Sequence, residues 1–538
     1  MKLVTVSQMQ AIEKDADANG LTYDQMMENA GQGIADVLFD LFEDDVETEI
    51  VGLVGPGNNG GDTLVALTEL VQEGWKARAY LVKRKKDELV RRFTDAGGEI
   101  LSGESAFEKL AEAMENADVL LDGVLGTGVK LPLKKDVAEF LSEINNLLDG
   151  LDEGPLVVAV DCPSGVDCDA GEVADETIAA DLTITMAAVK QGLLRLPAFE
   201  YVGDLEVVDI GLADDLTSFK ALNVDVAEAA SVAALLPERP LESHKGTFGT
   251  ALIAAGSINY TGAAILAGEA AYRVGAGLVT MAVPAPVHVA LAGRFPEATW
   301  VLLPHEMGVI SSNGAEILAK NFERASALLI GPGFGTENST KEFTENLIEG
   351  RYSAKKNPQR IGFVHQEPEK SAENKTKLPP LVIDADALKL LGQIKDWHMK
   401  IAGPAILTPH PGEMSALTDL SKELIQESRQ EIASQYAKNW GHVVVLKGAF
   451  TVVAAPDGRA TVIPVASPAL ARAGTGDVLA GLIVGLRAQG LEAYEAAVAG
   501  AWIHAQAGLY AADDLGTTAS VLASDVLNSV SDVLSDLE

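Results

Sequence analysis

Short polar turns that follow apolar segments carry the residues able to do chemistry in the first half of the chain. Residues 55–62 are GPGNNGGD, residues 122–128 are DGVLGTG, and residues 161–167 are DCPSGVD. The glycines of the first turn fit G-x-G-x-x-G, which lets backbone amides approach a phosphate, although glycine turns after strands also serve packing alone. Asp122 and Asp161 could each hold a cation or move a proton, or simply cap a turn, and neither residue alone decides between these interpretations.

The densest positive run of the chain, residues 83–86 (KRKK), lies at the end of the second predicted strand. The acidic residue that binds the ribose of NAD at this position in dinucleotide-binding folds is missing, so ordinary hydride transfer is not supported. The run is interpreted as the solvated start of a helix, with a phosphate clamp as the less favoured alternative.

A different set of polar turns lies in the second half. Residues 473–477 (AGTGD) precede an apolar helix predicted over residues 478–483. Small residues there let backbone amides and the helix dipole face a phosphoryl group, and Asp477 could accept a hydroxyl proton, although an ordinary helix cap is the alternative. No G-x-x-x-x-G-K-[ST] sequence occurs, so a P-loop kinase is excluded. The remaining polar turns are residues 244–249 (HKGTFG), 256–264 (GSINYTGAA), 331–335 (GPGFG), 384–388 (DADAL), 408–413 (TPHPGE) and 447–451 (KGAFT).

The elements that must position these turns follow from hydrophobic patterning. After a helical segment over residues 7–41, short apolar strands alternate with longer amphipathic stretches, which predicts a parallel sheet covered by helices. The strands predicted in the first half are 50–54, 77–82, 119–121, 156–160, 182–186 and 205–210. Those in the second half are 250–254, 278–283, 327–330, 381–383, 405–407, 442–446 and 451–454.

An irregular stretch over residues 211–242 separates the two alternating patterns, which predicts domains at 1–220 and 221–538. Residues 351–380 are polar, rich in lysine and without periodicity, so they are predicted to form a surface insertion of the second domain. A hairpin is predicted around residues 447–451. His410 and His442 could both be structural histidines, and this is the favoured interpretation for His442.

Composition limits the partners. The chain has 538 residues and a formal net charge of −37, a field that repels nucleic acid and anionic membranes. Its two cysteines offer no disulfide framework and no zinc site. Neither a signal-peptide core nor an apolar run long enough to span a bilayer occurs, so a cytoplasmic protein is expected.

Together, GPGNNGGD, DGVLGTG, DCPSGVD and residues 190–193 (KQGL) resemble the YjeF N-terminal family, the NAD(P)H-hydrate epimerases, over about residues 1–220. The resemblance implies a Rossmann-like three-layer α/β/α domain in which Asp161 is the acid/base that interconverts the R and S hydrates at C6 of the nicotinamide ring. It also implies a potassium ion near Asn59, Asp122 and Ser164. The residues implied to line the hydrate site are Asn58, Asn59, Gly60, Gly61, Asp62, Gly126, Thr127, Gly128, Val129, Lys130, Leu131, Pro132 and Asp161. Thr63 departs from the family, which commonly has glycine there.

The turns of the second half, above all TPHPGE followed by GTGD, resemble the YjeF C-terminal family, the NAD(P)H-hydrate dehydratases of the ribokinase-like superfamily, from about residue 235 to 530. The residues implied to contact the hydrate are Ala263, Gly335, His410 and Asp477. Those implied to contact the adenine nucleotide are Lys447, Gly448, Ala449, Phe450, Thr451 and Gly476. Arg472 and Ala473 replace the threonine and glycine that often precede GTGD.

The two resemblances together imply a bifunctional isomerase and lyase that repairs NADHX and NADPHX, the hydrates of NADH and NADPH. Phosphorylation would turn the C6 hydroxyl into a leaving group, with Asp477 as proton acceptor, magnesium offsetting the phosphoryl charge and ADP favoured over ATP as donor. Only the S form would be dehydrated, which accounts for the fused epimerase, and a homo-oligomer is expected. The alternatives are a small-molecule kinase of the same superfamily, and a first domain that binds ligands or partners without catalysis; the turn motifs disfavour both.

Overall fold

The alternating pattern folds into two units that each contain a mainly parallel sheet. The computed structural model describes residues 1–42, 48–213, 215–352 and 377–538, and its compact units are Met1–Val226 and Ala227–Glu538. Residues 353–376, which form most of the predicted insertion, lie outside the described residues.

The first unit is a doubly wound α/β domain. Its strands are β1 (Leu3–Val4), β2 (Glu49–Val54), β3 (Lys76–Leu81), β4 (Glu99–Leu101), β5 (Val119–Gly123), β6 (Leu156–Val160), β7 (Leu182–Met186), β8 (Val189–Lys190), β9 (Asp204–Val208) and β10 (Val224–Val226). Its helices are α1 (Val6–Ala18), α2 (Tyr23–Phe42), α3 (Asn58–Gln72), α4 (Glu88–Ala96), α5 (Ala106–Met114), α6 (Lys135–Leu148) and α7 (Thr217–Lys220).

The strand order β4-β3-β2-β5-β6-β7-β9 is parallel throughout and reverses direction between β2 and β5. Alternate residues of β2 face opposite layers: Ile50 and Val54 join the core formed with α1 to α4, whereas Val51 and Leu53 join the core formed with α5 and α6. The three-layer Rossmann-like fold predicted for this unit is therefore confirmed. The reversal creates a crevice at the carboxyl ends of β2 and β5, where ligands bind in such sheets.

The second unit is also α/β. Its strands are β11 (Thr250–Ala254), β12 (Leu278–Pro284), β13 (Thr299–Leu303), β14 (His305–Glu306), β15 (Val309–Ile310), β16 (Ala327–Ile330), β17 (Leu381–Ile383), β18 (Ile406–Leu407), β19 (Val443–Leu446), β20 (Val452–Ala454) and β21 (Ala460–Val462). Its helices are α8 (Ala229–Ala233), α9 (Thr261–Arg273), α10 (Ala285–Leu291), α11 (Gly314–Ala319), α12 (Asn338–Ile348), α13 (Asp386–Leu391), α14 (Pro411–Thr418), α15 (Lys422–Glu427), α16 (Arg429–Trp440), α17 (Thr475–Ala488), α18 (Ala493–Asp514) and α19 (Ala523–Leu537).

Within this unit the strands follow the order β21-β20-β19-β18-β17-β16-β11-β12-β13. All of these neighbours are parallel except for the antiparallel pairs β19–β20 and β20–β21. The main core lies where α9, α17, α18 and α19 pack with the sheet, and the apolar α17 is buried along almost its whole length. The hairpin predicted around residues 447–451 is confirmed as the β19–β20 connection.

The structure adds detail to two predictions about helices. The helical segment predicted over residues 7–41 consists of two helices, because α1 ends at the C-cap Asn19 and Gly20 then takes a positive φ of 104° that suits glycine. The helix expected from residue 478 begins at Thr475, so Asp477 lies in its first turn. Among the described residues no helix is both long and apolar enough to cross a membrane.

Gly481 tests the packing of α17 against α9. A Cβ atom at Gly481 would lie 2.3 Å from the carbonyl oxygen of Ala267 and 2.7 Å from Cβ of Ala270. Overpacking at such a contact costs about 1–3 kcal/mol, so Gly481→Ala should lower the free energy of unfolding of the second unit by that amount in urea titrations. The matched control is Gly262→Ala on α9, where a Cβ would meet no atom within 4 Å. Equal stability of the two variants would contradict the packing argument.

Candidate active sites of the two units

The glycine turns of the first unit meet at the reversal between β2 and β5. A Cβ atom at Gly55 would lie 1.9 Å from the carbonyl oxygen of Val124, and one at Gly60 would lie 2.0 Å from that of Gly55. Thr63, the departure from the family pattern, donates its hydroxyl to the Asn59 carbonyl oxygen at 2.7 Å. The glycines therefore allow the turns to pack closely, and the threonine fits beneath them.

Two neighbouring cavities open beside these turns. The larger, of about 550 Å³, is lined by the predicted residues Asn58, Asn59, Gly126, Thr127, Gly128, Val129 and Lys130. The smaller, of about 340 Å³, is lined by the predicted residues Asn58, Asn59, Asp62, Thr127 and Asp161. Gln10, Asn58, Asn59 and Thr127 belong to both linings, whereas the predicted Gly60, Gly61, Leu131 and Pro132 belong to neither.

Asp161 is held at the smaller cavity by one of its two carboxylate oxygens. It follows β6 with a positive φ of 67°, and its Oδ1 accepts hydrogen bonds from Thr185 Oγ1 at 3.0 Å, from the Met186 amide at 3.2 Å and from Lys190 Nζ. Lys190 is 1% exposed and its ammonium also donates to Thr185 Oγ1 at 2.9 Å and to the Met186 carbonyl at 3.0 Å. No described residue donates to Asp161 Oδ2, so this oxygen is available to a ligand.

Three further carboxyl groups line the smaller cavity with Asp161, namely Glu13, Asp24 and Asp62. Burial, followed by the charges of Asp161 and Glu13, raises the pKa of Asp62 well above its ordinary value, against the opposing charges of Lys190 and Arg84. Burial and the charge of Asp161 also raise the pKa of Glu13, which lies on α1. Sequence reasoning missed Glu13 and gave Lys190 no role, although Lys190 opens one of the motifs that it singled out.

The basic run after β3 has neither of the two predicted roles in full. Arg84 is largely buried and its Nη1 donates to the carbonyl oxygens of Gly55 and Gly57, both at 3.1 Å. Lys83 pairs with Asp136 and lines the larger cavity, while Lys85 and Lys86 are exposed before the N-cap Asp87 of α4. Arg84 thus stabilises the GPGNNGGD turn through hydrogen bonds to its backbone.

The three residues predicted to surround a potassium ion lie close together near Leu125. Asn59 donates Nδ2 to the Leu125 carbonyl at 3.2 Å and to the Val160 carbonyl at 2.5 Å, which leaves its Oδ1 as an acceptor. Ser164 donates its hydroxyl to Asp122 Oδ1 at 2.6 Å and accepts from the Leu125 amide at 2.8 Å. Burial raises the pKa of Asp122 against the hydrogen bonds from Ser164 and Val124. Turns from three strand ends are therefore brought together as predicted.

In the second unit, Lys447 connects the polar turns. Its Nζ lies 2.7 Å from Asp384 Oδ1 and 3.8 Å from Glu413 Oε2, and a Cβ at Gly476 would lie 3.5 Å from the same nitrogen. Burial alone would lower the pKa of Lys447, but the charges of Asp384 and Glu413 raise it. The Lys447 amide also donates to the Pro409 carbonyl at 2.9 Å, which joins the β19–β20 hairpin to the TPHPGE turn.

Asp477 lies in the first turn of α17 within this charged group. Burial, followed by the charges of Asp384 and Asp386 and opposed by Lys447, raises its pKa to about 7. His504 supports this turn, because its Nε2 lies 2.8 Å from the Thr475 carbonyl oxygen. A carboxyl group with this pKa can accept a proton near neutral pH, which is what the chemistry inferred for Asp477 requires.

The other residues predicted to contact the hydrate, Ala263, Gly335 and His410, have contacts of their own. His410 caps α14, with Nδ1 accepting from the amides of Gly412 at 2.9 Å and Glu413 at 3.3 Å. Burial and the charge of Lys447 lower its pKa to about 4, so the ring is neutral at pH 7. The Gly335 amide donates to Asp386 Oδ2 at 2.9 Å, and a Cβ at Gly333 would lie 2.9 Å from Cβ of Ala263.

The nucleotide-binding residues predicted at the hairpin form a tight turn. Thr451 Oγ1 accepts from the Gly448 amide at 3.2 Å and donates to its carbonyl oxygen at 2.9 Å, while Gly448 and Phe450 take positive φ angles of 145° and 53°. Arg429, which sequence reasoning missed, donates Nη2 to the Leu446 carbonyl at 2.8 Å. His442 is structural, because its ring nitrogens lie 3.2 Å from the Ala405 amide and 3.3 Å from the His398 carbonyl oxygen.

Comparisons with known proteins assign a different family model to each half of the chain. A family model described as "YjeF-related protein N-terminus" matches residues 23–192, and one described as "NAD(P)H-hydrate dehydratase" matches residues 251–355 and 363–531. The bifunctional NAD(P)H-hydrate repair enzyme Nnr of Moorella thermoacetica is 35% identical, over 100% of this chain and 97% of its own. The enzyme of the same name from Salinibacter ruber is 33% identical, over 98% of this chain and 95% of its own.

A solved structure is also similar in sequence to the second unit. The ADP/ATP-dependent NAD(P)H-hydrate dehydratase of Bacillus subtilis, co-crystallised with ATP and Mg²⁺, is 31% identical. The match covers 59% of this chain and 100% of that one, with a TM-score of 0.47.

Lys190 tests the buried ion pair of the first unit. Lys190→Met leaves the buried Asp161 carboxylate without its cation, so the free energy of unfolding of this unit should fall by about 3–5 kcal/mol in urea titrations. Adding Asp161→Asn to that variant should recover part of the loss, because the uncompensated charge is then removed. Lys76→Met, which breaks an exposed pair with Glu49, is the control and should cost under about 1 kcal/mol. A Lys190→Met variant as stable as this control would mean that the pair does not stabilise the fold.

Proposed function

The chain belongs to the bifunctional NAD(P)H-hydrate repair enzymes, and we propose that each unit catalyses one step of that repair. The first unit interconverts the R and S forms of NADHX and NADPHX. The second unit converts the S form into NADH or NADPH at the expense of ADP, which yields AMP and phosphate. The observation that carries the proposal is that each unit places an aspartate beside a lysine at the carboxyl edge of its sheet: Lys190 donates a hydrogen bond to Asp161, and the charge of Lys447 acts on Asp477.

In the second unit the difficulty is that hydroxide is a poor leaving group. Asp477 takes the proton of the C6 hydroxyl as the hydroxyl oxygen attacks the terminal phosphoryl group of the nucleotide. The N-terminal amides of α17 and the Lys447 ammonium stabilise the phosphoryl charge. The lone pair of the ring nitrogen then expels phosphate from C6, and a C5 proton passes to the expelled phosphate, which completes the dihydropyridine.

The substrate and nucleotide contacts of this unit are proposed on the resemblance together with the geometry. Ala263, Gly335, His410 and Asp477 would contact the hydrate, and the hairpin 447–451 with Gly476 would contact the adenine nucleotide. Lys447 supports this assignment, because it belongs to the hairpin and yet reaches the turn that carries Asp477. The neutral His410 would bind by hydrogen bonding rather than by charge.

Magnesium fits the second unit as a companion of the nucleotide. The described residues contain no cluster of three or more acidic, histidine or cysteine side chains arranged to hold a metal ion. Mg²⁺ usually keeps several waters and is bound by one or two carboxylates together with substrate phosphates. We therefore propose that phosphate oxygens supply most of its ligands, with Asp384 and Glu413 as the nearby carboxylates, and that it offsets phosphoryl charge.

Potassium fits the residues of the first unit. Asp122 is fully buried, and in the described part of the chain neither lysine nor arginine forms an ion pair with it. An uncompensated buried carboxylate is costly, so a cation there would offset that charge. Asn59 Oδ1, the Asp122 carboxylate and Ser164 supply only oxygen donors, which suit a hard cation. We propose that these residues hold potassium and that the ion orients the turns lining the hydrate site.

The cytoplasm is the proposed compartment, since Cys162 and Cys168 are both unpaired thiols, the state that a reducing compartment maintains. Assembly into a homo-oligomer is proposed on the family resemblance alone.

Recovery of absorbance at 340 nm tests the function. The protein, given mixed R and S NADPH hydrate with magnesium, potassium and ADP or ATP, should restore all of the NADPH with stoichiometric release of phosphate. Asp161→Asn should stop the recovery when the S form is exhausted, and replacing potassium by lithium should slow only the conversion of the R form. A stable phosphorylated product without NADPH would instead support a small-molecule kinase.

The pH dependence of dehydration tests Asp477. Because a base must be unprotonated to act, kcat/KM for the S hydrate should rise with pH through about 7, the pKa to which burial and its acidic neighbours raise Asp477. Asp477→Asn should lower kcat about 10²- to 10⁴-fold and remove this limb. A limb unchanged in the variant would assign the proton acceptor to another group.

A further inference from the structure

We propose that Asp62 is the proton donor of the epimerase reaction, so that the C6 hydroxyl leaves as water. Asp161 then accepts a proton from the water that adds back to C6. The inference deepens the function proposed for the first unit and rests on it. It assigns two different roles to two carboxyl groups that line the same cavity.

Asp62 is a buried acid without a partner. It lies on α3, is 8% exposed, and lines the 340 Å³ cavity. No hydrogen bond from the described residues reaches its carboxyl oxygens, although buried polar groups are nearly always paired. A carboxyl group at a cavity wall that no described residue pairs with is free to contact a ligand in that cavity.

Asp161 has the opposite environment. Three donors, of which one is the Lys190 ammonium, hold its Oδ1, and Oδ2 is free of donors from the described residues. Lys190 itself has no proton to spare for a substrate, because its ammonium already donates to Asp161, Thr185 and Met186. Asp161 is thus arranged as an ion-paired carboxylate with one open oxygen, the form that a proton acceptor needs.

The surrounding charges favour a proton on Asp62. Burial raises the pKa of Asp62, and the negative charges of Asp161 and Glu13 raise it further; Lys190 and Arg84 act in the opposite direction. The other titratable groups at this cavity are Tyr23 and Asp24 on α2. Two carboxyl groups in one cavity with different environments, one unpaired and one paired with a lysine, are a usual basis of an acid/base pair.

The reaction balances with these two groups. Asp62 gives its proton to the C6 hydroxyl, the C6–O bond breaks, and water leaves as the lone pair of N1 forms a C=N⁺ bond to C6. Ionised Asp62 and Asp161 stabilise this cation. Water then adds to the opposite face of C6, and its surplus proton goes to Asp161 Oδ2. Transfer of that proton to Asp62 restores the starting state, and no oxidant, reductant or nucleotide is consumed.

Glu13 has a supporting place in this scheme. It lies on α1, before the stretch matched by the family model, and faces the same cavity. Burial and the charge of Asp161 raise its pKa, and Lys190 opposes this rise. We treat Glu13 as a positioning residue whose negative charge, once it is ionised, raises the pKa of Asp62 further.

Epimerisation by the full-length protein, without ADP or ATP so that dehydration cannot proceed, tests the inference. Pure S hydrate is followed by NMR as it converts to the R form. Asp62→Asn should lower kcat about 10²-fold or more with a KM changed only a few-fold. Glu73→Gln, an exposed acid just beyond the other end of α3, is the matched control and should epimerise at the wild-type rate.

Two further measurements keep the test independent of folding defects. In H₂¹⁸O, each inversion by the wild-type protein should place one ¹⁸O atom at C6. The wild-type rate should also fall as pH rises and Asp62 loses its proton, and Glu13→Gln should move this fall to lower pH. Inversion without ¹⁸O, or Asp62→Asn activity within a few-fold of wild type, would overturn the inference. If the wild-type protein does not epimerise at all, the proposed function of the first unit fails instead.

Discussion

Each site depends on the electrostatic interaction between one buried lysine and the carboxyl groups around it. The chain carries a formal net charge of −37, and both sites gather acids where water is largely excluded. Moving an isolated carboxylate out of water is costly unless a cation compensates it. Lys190 and Lys447 supply that compensation: each pairs with one aspartate, while the neighbouring acids Asp62 and Glu413 have raised pKa values. The contrast between paired and unpaired acids is the basis of the proton chemistry proposed for both sites.

Much of the fold could be predicted because buried parallel strands are nearly continuous apolar runs. Strands such as β6, β7, β11 and β16 fall where patterning alone put them, and the polar turns follow from the rule that ligands bind at the carboxyl ends of such strands. Asp122 and Ser164 come from different turns and are hydrogen-bonded, as their common edge of the sheet implies.

The remaining features depend on contacts that no local pattern encodes. The β4 and β21 strands are three residues long, too short for a periodic signal, and the partner of Arg84 is a turn 27 residues earlier in the chain. Glu13 looked like any acid on an amphipathic helix, and its importance appears only when α1 lies against the cavity. Lys190 belongs to a recognisable motif, but its role requires the fold that brings it to Asp161.

Lys447 has a consequence for how the two ligands of the second unit affect each other. Its ammonium is within reach of Asp384 and Glu413, and its charge lowers the pKa of Asp477. A nucleotide phosphate that attracts the Lys447 ammonium would weaken the interaction of that ammonium with those acids. It would therefore change the affinity of the site for the hydroxyl substrate. Thermodynamic linkage requires the reverse effect to be equal in size. In the binding mode proposed for this unit, the nucleotide and the hydrate would therefore bind as a coupled pair, and Lys447 would transmit the coupling.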